Sequence, residues 1–251
     1  MLTENKFSKY LLYAIGEIML VVIGILIALS INNWNENEKL KKTEIKILKE
    51  ITKDLNQSLE EVKRDYEAHQ LYQNSANRFQ NLITQNNSDL DSISKHFEIL
   101  MNDRRAFPQT SGYFLLKSKG MYLISNDSLR TSITFLYEQN FSRLKNMSRL
   151  NPEMSIHRLL SPYLKKHFEI SKKIRRSFMY EGVKDSITLY SYKLISLDKL
   201  KNDTELFIDL QESFDKRMHK MSLHSRSIEI IKQLLKDISK ELGKLGELNA
   251  E

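Results

Sequence analysis

The run at 10–31, YLLYAIGEIMLVVIGILIALSI, has 22 residues and one charge, Glu17. At about 1.5 Å of rise per residue, such a helix extends roughly 33 Å, enough to cross a hydrocarbon layer of about 30 Å. No water reaches backbone groups in that layer, and a helix bonds them internally. Tyr10 and Tyr13 near one end, and Trp34 beyond the other, suit the headgroup level. A cleavable signal peptide fits less well, because its apolar core is about 7–15 residues. This run continues past the loosely small-x-small Ala28-Leu29-Ser30 to Ile31. The chain reads as a short tail (1–9), a transmembrane helix (10–31) and a soluble domain (32–251).

A carboxylate inside a span is costly unless it is protonated, paired or able to reach the interface. Glu17, Gly24, Ala28 and Ile31 fall on one helical face, and Gly24-x-x-x-Ala28 lets a second helix backbone approach closely. One reading is an association face, with Glu17 bonded inside a homo-oligomer or against another membrane protein. The other is a shallow Glu17 beside small residues of the kind membrane helices commonly contain. Both stay open.

Seven glycines and three prolines in 251 residues leave few helix breakers. The absence of cysteine removes disulfides, thiolate chemistry and cysteine-ligated zinc. From 36 to 85, Leu48, Ile51, Leu55, Leu59, Val62, Tyr66, Ala76, Phe79 and Ile83 recur at helical spacing, which predicts one long amphipathic helix that can be continuous with the span. Asn86-Asn87-Ser88-Asp89 ends it, with Ser88 as the expected N-cap of a short second helix reaching about 102. Ser161-Pro162 reads as an N-cap followed by proline at the first position of a helix over 162–180. A further helix is expected over 185–200. Over 203–245, Phe207, Leu210, Phe214, Met221, Ile228, Ile231, Leu235, Ile238, Leu242 and Leu245 keep one heptad register, interrupted only by Arg217 and His224. The fold class is all-α: one N-terminal transmembrane helix, then a bundle built on two long, antiparallel, coiled-coil-like helices.

With Leu48 level with Leu245, that packing sets His69 beside His224, a pair able to bind a metal or sense pH. No carboxylate is spaced to complete a site, and no metal or cofactor is assigned. Residues 141–201 hold 14 Lys/Arg against 5 Asp/Glu. Lys165, Lys166, Lys172, Lys173, Arg175 and Arg176 are candidates to contact an anionic surface, although a solvated basic face is the plainer explanation. The metal-protease, nucleophile-elbow, phosphate-loop and dinucleotide motifs are absent. The chain is read as neither an enzyme nor a nucleic-acid binder.

In TSGYFLLKSKGMYLISNDSLRTSITFLYEQ, Gly120 can close one helix and Asn126 or Asp127 can cap the next. Arg130 sits in that helix's first turn, unfavourably for a cation, so it should have a specific partner. Gly120, Asn126 and Arg130 together read as a structural latch.

The run YAIGEIMLVVIGILIALSINNWNE resembles the N-terminal signature of a bacterial family of single-span proteins catalogued only as a domain of unknown function. The likeness is continuous from Thr3 to Glu36, and the segment around Gly120 is similar more loosely. The resemblance implies a membrane location and a helical soluble domain, and no activity. Flanking lysines alone would place the domain in the cytoplasm by the positive-inside rule. The basic N-terminal extension of relatives argues the reverse. The reading favours the bacterial inner membrane with a periplasmic domain, a cytoplasmic one being the alternative. The function expected is a membrane-anchored interaction or scaffold protein of the cell envelope. The alternative is a ligand-sensing bundle signalling through a membrane partner.

Overall fold

The computed structural model describes residues 4–85, 89–147, 151–180 and 183–246. Its backbone is α1, Glu4–Thr84, 81 residues without a break. Asn32 to Asn35 stay helical, so the rod runs unbroken past the apolar segment. From Leu11 to Ile31 every side chain is exposed. That segment is long and apolar enough to cross a membrane, and none of it is buried within the chain. Burial begins at Glu44 and follows one stripe through Leu48, Ile51, Leu55, Val62, Phe79 and Ile83.

The second long helix, α8 (Thr204–Lys244), starts at Asp203, whose carboxylate accepts the Leu206 amide. It returns antiparallel along α1. Ala76, Phe79 and Ile83 share a core with Leu206 and Leu210, whereas Ile47, Leu48 and Ile51 share another with Ile231, Leu234 and Ile238. Short helices complete each core. α2 (Leu90–Leu100) joins the core around Phe79. α3 (Ser111–Lys119), α4 (Asp127–Thr134) and α5 (Phe141–Asn146) join the other, with a π-helical stretch Phe135–Asn140 linking the last two. The N-cap of α2 is Asp89, which accepts the Ser92 amide at 2.9 Å. The expected cap, Ser88, lies outside the described residues.

Three expectations are corrected. Helix α6 spans Ile156–His167 with Ser155 as its cap, so Pro162 is interior and not at the start. Proline has no N–H for the Arg158 carbonyl four residues back. The Ser161 hydroxyl donates to that carbonyl instead, at 3.3 Å.

Helices expected over 162–180 and 185–200 are replaced beyond His167 by an antiparallel hairpin, β1 (Phe168–Tyr180) and β2 (Val183–Leu194), followed by α7 (Leu197–Lys201). Ile174 and Phe178 are four residues apart, a spacing that a strand face and a helix face both satisfy. Isoleucine, threonine and tyrosine content settles the outcome, because branched and aromatic side chains favour the pleat. The hairpin is rooted by Phe168, which stacks on Phe97 at 4.7 Å between ring centroids. The expected helix end at Glu181-Gly182 lies outside the described residues.

The third correction concerns the register of α8. The column Leu210, Arg217, His224, Ile231, Ile238 is buried as expected. Its companion is Leu206, Ser213, Lys220, Ser227, Leu234, Glu241, one residue away from the Phe207-to-Leu242 series. That series lies half-buried at the flank. The actual companion column contains four polar residues, which apolar spacing alone cannot reveal.

Candidate functional site

Polar residues enter the α1 stripe wherever the middle of the chain crosses it. Glu44 accepts the Ser125 amide at 2.9 Å, Ser58 accepts the Gln109 amide at 2.8 Å, and Asp54 accepts the Gly112 amide at 2.7 Å and the Ser111 hydroxyl at 2.8 Å. These side chains are buried and each takes up a backbone donor that would otherwise lack a partner.

One polar group has a different character. Between the two apolar cores, α1 contributes Asp65 and His69, α8 contributes Arg217, Lys220 and His224, and the loop after α2 contributes Asp103 and Arg104. Asp65, His69, Arg217, Lys220 and His224 are all buried. Lys220 Nζ donates to Asp103 Oδ1 at 2.6 Å, and Asp103 Oδ2 accepts the Ile156 amide at 3.3 Å. Arg217 donates to the Leu100 carbonyl at 2.7 Å and lies over the Tyr72 ring at 5.2 Å. Arg104 Nε approaches Asp65 Oδ1 at 3.1 Å. The His69 and His224 rings are 5.4 Å apart, and His224 Nε2 is 2.9 Å from Asp65 Oδ2.

Burial governs the proton affinities here. It pushes His69 down to about 2, with His224, Arg217 and Lys220 acting in the same direction, so His69 is neutral at ordinary pH. It brings Arg217 down to about 10, against the pull of Asp103. Lys220 is lowered by burial, a loss the adjacent Asp103 carboxylate partly offsets. A layer of this kind is an expensive element of a bundle, since each charge must be fully paired to be tolerated. Chemically it offers two imidazoles and a carboxylate in a dry, cationic setting.

The histidine pair is where the assumed helix register puts it. Asp65 was missed, although Asp65-x-x-x-His69 places carboxylate and imidazole on one helix face. Lys220 was hidden by the shifted register. Asp103 and Arg104 carry no periodic signal because they lie in a loop.

Glu17, Gly24 and Ala28 occupy the exposed part of α1, and a Cβ added at Gly24 would meet nothing within 4 Å. Gly120 ends α3 with φ 115°, and Asn126 caps α4 by accepting the Leu129 amide at 3.1 Å while donating to Glu241 Oε2 at 2.7 Å. Arg130 donates to the Ile124 carbonyl at 3.2 Å and pairs with Asp127 at 2.7 Å. Asn126 thus ties α4 to α8, and Arg130 ties α4 to the chain just before it, while Gly120 closes α3.

The six basic residues do not share a helix. Lys165 and Lys166 close α6, and Lys166 pairs with Asp203 at 2.9 Å. Lys172 and Lys173 are exposed on β1, next to a bulge where the Ser191 hydroxyl bonds the Lys172 backbone. Arg175 and Arg176 pair by backbone with Thr188 and Ile187, and their side chains lie outside the described portion.

Residues 17–159 match the model of a family described as "Family of unknown function (DUF6090)". No curated protein and no solved structure matches the chain. The match takes in Asp65, His69, Asp103 and Arg104 and stops short of α8.

Proposed function

We propose that the chain, which belongs to this family of unknown function, is a membrane-anchored helical interaction protein acting through helix–helix contacts and not by catalysis. The observation that carries this reading is the continuity of α1 from an exposed apolar segment into the bundle core. A hinged tether would leave the domain free to turn. A single helix instead fixes its height and rotation relative to whatever the span binds. Past Ile31 the rod rises roughly 80 Å at 1.5 Å per residue.

That length bears on the basic hairpin. Its root packs near Phe79, roughly 70 Å beyond Ile31 along α1. A 13-residue strand reaches about 43 Å. With α1 upright, the arm cannot return to the headgroups of the anchoring bilayer, so its lysines and arginines are suited to an acidic partner away from that surface. We place the anchor in the bacterial inner membrane with the domain on the periplasmic side. A second reading, a ligand-sensing bundle signalling through a membrane partner, is favoured by the charged layer between the two apolar cores.

Native pull-down from gently solubilised membranes, combined with protease protection on spheroplasts, tests the first reading. A stoichiometric protein partner with an external, digestible domain supports it. A chain recovered alone and monomeric contradicts it. For the span, Glu17→Gln should keep self-association in a membrane dimerisation assay, because the amide still bonds, and Glu17→Leu should weaken it. Equal association of the three proteins removes Glu17 from any seam.

A further inference from the structure

Asp65, His69 and His224 bring one carboxylate and two imidazoles to a single point of the α1–α8 seam, their ligand atoms all within 4.8 Å of one another. His224 poses the problem. Its Nδ1 lies 2.6 Å from the Lys220 carbonyl oxygen and its Nε2 lies 2.9 Å from Asp65 Oδ2, so both nitrogens face acceptors. A neutral imidazole has one N–H. With that hydrogen on Nδ1, the Nε2 lone pair points at a carboxylate, and a positive centre is required between them. His69 Nε2, 4.0 Å from the same carboxylate oxygen, is buried without a hydrogen-bond partner.

We propose that these three residues bind one divalent transition-metal ion of zinc type, through an Asp65 carboxylate oxygen and the Nε2 atoms of His69 and His224. Two imidazoles and a carboxylate suit such ions, which accept nitrogen and oxygen donors at about 2.0–2.2 Å. The Lys220 carbonyl is the outer partner that a metal-binding histidine needs to fix its ring and tautomer. The neighbouring cations are largely engaged elsewhere: Lys220 by Asp103, and Arg217 by the Leu100 carbonyl. Arg104 Nε lies 3.1 Å from the other Asp65 oxygen as an ion pair.

Arg217 nevertheless bears on the site. Its Nη1 lies 3.5 Å from His69 Nδ1, a contact in which the guanidinium is the donor, so the hydrogen of His69 sits on Nε2. Metal entry moves that hydrogen to Nδ1 and gives up the long contact with Arg217. Any proton held between His224 and Asp65 leaves to solvent. Arg217 therefore competes with the metal, and removing its charge should tighten binding.

The test uses the full chain in nanodiscs, without a polyhistidine tag and stripped by chelator, titrated with Co²⁺ and then Zn²⁺. The site predicts one Co²⁺ per chain, visible ligand-field absorption, and displacement by Zn²⁺. His69→Gln and His224→Gln should each weaken binding at least about 100-fold. His219→Gln, at an exposed position of α8, should leave it unchanged. Arg217→Met should strengthen it about tenfold, an effect that loss of structure would not produce. If the histidine variants fail to fold, wild-type stoichiometry and the Arg217→Met titration still give the answer. No stoichiometric Co²⁺ in the wild-type chain overturns the site and leaves a proton as the positive centre. So does Co²⁺ binding that folded His69→Gln and His224→Gln retain in full, or that Arg217→Met fails to strengthen.

Discussion

A methyl group added at Gly112 would lie 2.8 Å from the Ile51 backbone nitrogen and 3.0 Å from the Glu50 carbonyl carbon. Neither α1 backbone atom can step aside, and the Gly112 amide is tied to Asp54. Gly112→Ala should therefore cost about 1–3 kcal/mol in denaturant unfolding, whereas Gly24→Ala, with open space around it, should leave bundle stability unchanged. Asp203 offers a test by pH. Burial opposes its charge, but His167 at 2.5 Å, Lys166 at 2.9 Å and the Leu206 amide outweigh it and hold the carboxyl down at about 2, from an ordinary 3.8. A lowered carboxylate contributes stability above its unfolded value and loses it as pH falls through the folded one. Unfolding free energy should thus drop between about pH 4 and pH 2, and Asp203→Asn should flatten that limb of the profile. An unchanged limb would remove Asp203 from the account. Singly, such residues were partly legible. The distance of Gly112 from α1 needs the tertiary fold, but Asp65, four residues before a stripe histidine, is legible in the sequence, although apolar spacing alone does not mark it.

For the helices and strands, period proved a better guide than register. The length and antiparallel return of α8 follow from its heptads, and so does the buried column through Ile231. The second column differs because Ser213, Lys220, Ser227 and Glu241 are polar and gave the sequence no reason to face inward. The structure makes Leu234 buried and Leu235 half-buried, the reverse of the apolar reading. Leu234→Asp should therefore destabilise by about 3 kcal/mol or more, through an unpaired buried carboxylate, and Leu235→Asp by clearly less. Thermal unfolding of both variants checks the register, and equal losses would contradict it. The hairpin was misread for a related reason. Apolar residues spaced by four satisfy two periods, and only branched and aromatic composition separates them. Thr188→Pro tests this directly: it breaks the pairing with Arg175 in a hairpin. The hairpin account expects protease cleavage within the arm while the helical signal stays intact. A fall in helical circular dichroism would favour the helix first expected.

As a whole molecule, the protein is a rod with a bundle folded along its distal part. Two apolar cores lie one above the other, with a charged layer between them. The long apolar segment, the long helices and their direction were visible in sequence because each is a long continuous signal. The layer was mostly invisible, because it joins residues from three separated segments whose pairing only the fold creates. What makes the molecule more than a tethered bundle is the unbroken passage of α1 from exposed apolar segment to core. The chain has no cysteine, so two can be introduced cleanly, at Ile27 and at the exposed Lys53. Pulsed electron–electron distance measurement between spin labels there, in nanodiscs with excess unlabelled chain, tests the passage directly. A continuous helix predicts a single narrow distribution near 39 Å, from about 1.5 Å per residue. A broad distribution centred at shorter distances would mean a hinge after the span, and would contradict the rigid coupling on which the proposed function rests.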